Sequence, residues 1–190
     1  CYNFGAVSGT KVGGLVGDAA REFCVTNCIS FGPVNGGFAD FGYVYSGDPI
    51  TLQNVYYVSD RVGAAANGKT QAIEFDDLNS LALVSAFNQQ VQALDGNYRY
   101  WELDSVLGYP VLSEKENLYQ VVLKTLGGGT IEPAPVLALV EGSSVQVQLR
   151  PDVGNSLLGV TINGSAAGAE SVFVINSLQT DYLVDVVFAD

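Results

Sequence analysis

The stretch Cys1-Tyr2-Asn3-Phe4-Gly5-Ala6-Val7-Ser8-Gly9 aligns without a gap on Cys28-Ile29-Ser30-Phe31-Gly32-Pro33-Val34-Asn35-Gly36. Cys, Phe, Gly, Val and Gly each return after 27 residues. A third copy opens on the same schedule, with Asn27 mapping to Asn54, Cys28 to Val55, Ile29 to Tyr56 and Phe31 to Val58. Short β-prone runs separated by Gly, Asn and Ser at one fixed period predict coils that stack by parallel strand pairing. Equivalent residues then lie above one another, about 4.8 Å apart. Cys1, Cys28 and Val55 form one apolar ladder in this reading, Phe4, Phe31 and Val58 another, and Asn27 with Asn54 a ladder of side-chain amides. The expected fold class is mainly β: the end of a parallel β-solenoid, or β-helix, of 27-residue coils over residues 1–62.

Between the first two copies stands Val12-Gly13-Gly14-Leu15-Val16-Gly17. Together with the Cys-Tyr-Asn-x-Gly-x-Val-Ser-Gly run it resembles the GLUG motif, which occurs in tandem in large bacterial surface and secreted proteins, including some adhesins and peptidases. The second copy has decayed to Phe38-Ala39-Asp40-Phe41-Gly42-Tyr43-Val44. Decay toward the end of an array suits a last coil that must stop templating another strand. Cys1 aligns with a mid-repeat position and not with a capping segment, so further repeats of the parent chain are expected upstream.

From Ala64 the pattern changes. Glu74-Phe75-Asp76-Asp77 precedes Leu78, Leu81, Leu83, Val84, Phe87, Val91 and Leu94, a three-and-four spacing that predicts one amphipathic helix. Asp76 or Asp77 is the expected N-cap, and Gly96 the end. Tyr100-Trp101-Glu102-Leu103 and Gly108-Tyr109-Pro110-Val111-Leu112 read as a strand pair. A helix, a Trp and then Gly-Tyr-Pro-Val-Leu is similar to the segment that closes GLUG arrays. Residues 63–112 are accordingly expected to be a C-terminal cap, completing a first domain over residues 1–112.

The polar run Ser113 to Asn117 is the expected linker. Beyond it, strands are predicted at Tyr119 to Lys124, Ser144 to Leu149, Leu158 to Ile162, Val172 to Ile175 and Tyr182 to Phe188. Turn signals at Gly127-Gly128-Gly129, Glu141-Gly142, Pro151-Asp152-Val153-Gly154 and Asn163-Gly164 separate them. The order of these strands and turns is similar to a divergent internalin-type B repeat, although Leu157 and Leu158 stand where that family carries Trp. The resemblance implies a small, separate β-grasp-like or β-sandwich domain over residues 113–190, a spacer in surface proteins.

Composition narrows the function. Twenty acidic residues oppose eight basic ones for a net charge of −12, shared evenly between residues 1–112 and 113–190. Such a field repels polyanions, so nucleic acid is not an expected partner. No apolar run of about 18 residues appears, so no membrane insertion is expected. The chain has no His, which removes the commonest general base and precludes Ser-His-Asp and Cys-His catalysis within it. Glu102 and Asp104 share a strand face as a glycosidase pair would, but neighbouring carboxylates on an acidic surface are ordinarily just solvated. Cys24 and Cys28 lack the further ligands a zinc site needs, and Asp40, Asp48 and Asp60 lack a calcium-loop spacing. No catalytic residue, metal or cofactor is therefore expected.

Aromatics concentrate in the last coil and cap. Tyr43, Tyr45, Tyr56, Tyr57, Tyr98, Tyr100 and Trp101 are the candidate ligand-binding residues, since exposed rings stack on sugars, while the same rings also suit an apolar cap interface. The expected function is a non-catalytic extracellular segment of a bacterial surface adhesin-like protein, acting as a stalk or spacer at the cell surface. The alternative is an accessory segment of a large secreted hydrolase or peptidase. The expected partner is a host or environmental glycan or protein.

Overall fold

A computed structural model describes residues 1–9, 12–17, 23–36, 50–63, 70–94 and 96–189. The chain is mainly β and divides into two compact units, Cys1–Asn79 and Ser80–Asp190.

In the first unit, β1 (Tyr2–Asn3), β3 (Phe23–Ser30), β5 (Ile50–Val58) and β6 (Gln71–Ile73) pair in that order, all in parallel. The short strands β2 (Val7–Ser8) and β4 (Val34–Asn35) pair beside them. Tyr2 faces Ile29, Cys28 faces Val55 and Val7 faces Val34, so each ladder up to β5 carries the 27-residue offset of the sequence. The period breaks at β6, where Tyr56 pairs with Gln71. Phe4 stacks on Phe31 with ring centroids 4.2 Å apart and planes 21° from parallel. Val58, next on the same offset, is fully buried, and Phe31 also meets Phe75 edge-on.

Asn27 and Asn54 both adopt left-handed backbone angles, φ 51° and 53°, in the middle of their strands. Asn tolerates this conformation better than other residues with a Cβ. Asn54 Nδ2 donates to Asn27 Oδ1 at 3.0 Å, so the amides form the expected ladder. The bend interrupts the in-out alternation of an extended strand, and Asn27, Cys28, Ile29, Ser30 and Phe31 are buried in succession.

Close approach of the turns is tightest at Gly32. A Cβ on Gly32 would lie 2.0 Å from the carbonyl oxygen of Gly5 and 2.7 Å from its carbon, and both are backbone atoms with no room to yield. The N–H groups of Phe31 and Gly32 both donate to Asn3 O, at 2.8 and 3.0 Å, and hold the same turns together. Gly32→Ala is expected to cost about 2 kcal/mol, the ordinary penalty of overpacking. Hydrogen exchange at Phe31 and Gly32 should accelerate in parallel. Unchanged protection at both amides would show that the first turn does not rest on the second.

In the second unit, a short polar stretch leads into α2 (Leu81–Ala93), the second helix after the single turn α1 (Ser59–Val62). The antiparallel hairpin β7 (Trp101–Asp104) and β8 (Tyr109–Leu112) follows as expected. A five-stranded sheet runs β11 (Val136–Val140), β9 (Leu118–Leu126), β16 (Tyr182–Ala189), β13 (Ser156–Ile162), β14 (Ser165–Gly168). Within it β9 and β16 are parallel and the other pairs antiparallel. A three-stranded antiparallel sheet runs β10 (Gly129–Glu132), β12 (Val145–Pro151), β15 (Val172–Ile175). Alternation decides the core: Val145, Val147 and Leu149 are buried, as are Val184, Val186 and Phe188, while Gln146 points out.

One expectation changes. The helix begins later than Asp76 or Asp77 suggests, because Phe75–Leu78 forms a separate 3-10 turn. Ser80 is the N-cap, its Oγ accepting from Leu83 N–H at 3.3 Å. The two compact units divide between Asn79 and Ser80, so residues 80–112 share a unit with the strands that follow. The physical reason is what the helix bonds to. Ser85 Oγ accepts from Ala138 N–H at 2.8 Å, and Asn88 Nδ2 donates to Ala138 O at 2.9 Å. The helix thus satisfies the outward edge of β11 with side chains, and residues 80–112 of the segment read as a solenoid cap share a unit with the C-terminal strands. The expected linker is tied down as well, through Ser113 N–H to Tyr100 O and Asn117 Nδ2 to Glu141 Oε2. Among the described residues no helix is long and apolar enough to cross a membrane.

Candidate functional site

The buried joint of the second unit is Asn88, which is wholly inaccessible to solvent. Its Oδ1 accepts from Trp101 N–H at 2.7 Å, and its Nδ2 donates to Trp101 O at 3.0 Å and to Ala138 O at 2.9 Å. One side-chain amide therefore stands in for a peptide group between β7 and β11. Trp101, 2% exposed, packs edge-to-face on Phe87 with centroids 4.9 Å apart.

Just before β7, Tyr100 is held by its backbone, its carbonyl accepting from Ser113 N–H at 2.9 Å. Tyr100 and Tyr98 line a cleft of about 620 Å³ beside the start of the hairpin, together with Arg99, Glu114, Lys115 and Glu116. Tyr98 is more than half exposed, and its ring lies across Gly96, where a Cβ would come within 2.6 Å of it. Arg99 pairs with Glu114, and Lys115 Nζ with Glu102 Oε2 at 2.9 Å. These pairs are exposed and contribute little to stability, but they hold the charged arms around the cleft. A cleft of this size with two phenol rings and a polar rim accommodates a small polar ligand such as a sugar.

The candidate rings are thus sorted. Tyr98 and Tyr100 share the cleft, whereas Trp101 is a core residue and presents no stacking face. Tyr56 and Tyr57 lie in the other unit on β5, half-buried. Tyr57 packs on Val34 with Val7 and Val12, and burial raises the Tyr56 phenol above its ordinary pKa. Tyr43 and Tyr45 lie outside the described residues. Glu102 is engaged by Lys115, and Asp104 Oδ1 accepts from the Val106 and Leu107 N–H groups at 2.8 and 2.9 Å, so both carboxylates serve the hairpin. Among the described residues no group of three or more Cys, Asp or Glu side chains is arranged to hold a metal ion. Sequence reading passed over Asn88, although an Asn on the apolar face of a helix is itself a signal, because a buried amide must find partners. No family model matches this chain, and neither a curated protein nor a solved structure matches it.

Proposed function

We propose that this chain is a non-catalytic extracellular segment of a bacterial surface adhesin-like protein, in which the first unit is the end of a β-solenoid of 27-residue coils and serves as stalk or spacer. The observation that carries the reading is the common 27-residue offset of the parallel ladders, reinforced by the Phe4–Phe31 stack and the Asn27–Asn54 amide pair. Stacking of this kind extends without a new design, because each coil presents the next with the same ladder. The resemblance of the repeat to GLUG arrays supports an external, bacterial setting. Residues 113–190, which carry the five-stranded and three-stranded sheets, are read as a β-grasp-like or β-sandwich spacer.

One observation favours a second reading, an accessory carbohydrate-binding segment of a secreted hydrolase or peptidase: the pairing of Tyr98 and Tyr100 at one cleft. Two measurements test the proposal. Antibody against the chain should label intact source cells without lysis, and labelling only after lysis would sink both readings. Calorimetric titration with a glycan panel should then give no saturable heat for a plain spacer. Saturable heat that disappears in Tyr98→Ala would replace the spacer by the accessory reading.

A further inference from the structure

We infer that Cys1 and Cys28 are a cross-linking pair, which oxidation joins in a disulfide between neighbouring parallel strands. The Cys1 amino nitrogen donates to Asn27 O at 2.7 Å, and Ile29 N–H donates to Cys1 O at 2.9 Å. Those two bonds bracket Cys28 and place Cys1 directly beside it in the ladder. Strands at their usual spacing of about 4.8 Å set the two Cα atoms within the range of about 4.4–6.8 Å that a disulfide spans. The two Sγ atoms are 2.7 Å apart, so the side chains already face each other. The apolar cysteine ladder expected from the repeat is thus a pair of thiols in contact.

The third cysteine, Cys24, is in register with Thr51 and not with a cysteine. Access differs as well. Cys1 is exposed and Cys28 is buried, which orders the exchange. The Cys1 thiolate attacks a low-molecular-weight disulfide such as oxidised glutathione, forming a mixed disulfide and releasing one glutathione thiolate. The Cys28 thiolate then attacks the Cys1 sulfur, closing the protein disulfide and releasing the second. Two cysteines are oxidised, one glutathione disulfide is reduced, and the two protons lost by the cysteines are taken up by the two glutathione thiolates. The link joins the first repeat to the second across the strand pair that Phe4 and Phe31 also hold.

The experiment uses the 190-residue chain, reduced and then incubated with oxidised glutathione, followed by maleimide labelling in denaturant and peptide mapping. Cys1 and Cys28 are expected to lose reactivity together while Cys24 keeps it. Trypsin cleaves after Lys11, Arg21 and Arg61, so a peptide of residues 1–11 joined to one of residues 22–61 reports the link. Because the second peptide holds both Cys24 and Cys28, Cys24→Ser is the deciding variant and must still give the joined pair. Cys1→Ser, which leaves buried Cys28 in place, must not give it. Closing the link should raise the thermal midpoint of the first unit by about 5 °C or more, reversed by reductant. Three reactive thiols after incubation, a link that vanishes in Cys24→Ser, or stable glutathione adducts on unlinked cysteines would each overturn the assignment.

Discussion

Replacing Asn88 by leucine is expected to destabilise the second unit by about 4 kcal/mol, since three buried backbone groups lose their partners at once. These are the N–H and carbonyl of Trp101 and the carbonyl of Ala138. Leucine fills a similar volume and favours a helix, so neither cavity nor propensity masks the effect. Asn88→Asp should be worse. It keeps an acceptor for Trp101 N–H but turns a carboxylate toward two carbonyl oxygens in a site without water. Ser85→Ala, which frees the buried Ala138 N–H and the exposed Gln89 amide, should cost about 1–2 kcal/mol. Urea unfolding of the three variants measures the series. A leucine variant within about 1 kcal/mol of the parent would mean that the helix is held by its apolar contacts alone.

Gly127→Ala is expected to cost about 3 kcal/mol, combining backbone strain with overpacking. Gly127 has φ 92°, and a Cβ there would lie 1.9 Å from Phe188 O and 2.8 Å from its carbonyl carbon. A β-carbon on Gly129 would instead meet the Phe188 ring at 2.5 Å, a side chain and not backbone. Gly129→Ala should therefore cost less than Gly127→Ala, and the order of the two is the test. Equal losses would show that ring packing, and not the backbone of β16, sets the demand for glycine.

The two units were legible to different degrees, for reasons that named residues make plain. A repeat reports its own register, so Tyr2 opposite Ile29 and Cys28 opposite Val55 follow from alignment alone. The break at β6 does not, because nothing in Gln71–Ile73 repeats Cys28–Ser30. The helix was visible in its leucines, but its partner was not. Ser85 and Asn88 interrupt the apolar stripe, and those interruptions decide that the helix joins β11. Strands β10, β11 and β14 were missed because Gly, Pro and Ala dominate or flank Gly129–Glu132, Val136–Val140 and Ser165–Gly168, a composition that reads as turn. At the cleft, composition found the tyrosines but placed Trp101 with them, and its burial separates it from Tyr100.

The position of β16 has a consequence for biogenesis. This strand, the last of its unit to be synthesised, lies between β9 and β13 in the interior of the five-stranded sheet. Until residues 182–189 have left the ribosome, β9 and β13 each lack a neighbour and the sheet remains two separate pieces. A long-range parallel pairing of this kind forms late and slowly. The five-stranded sheet of the nascent unit therefore closes only when its last strand is in place.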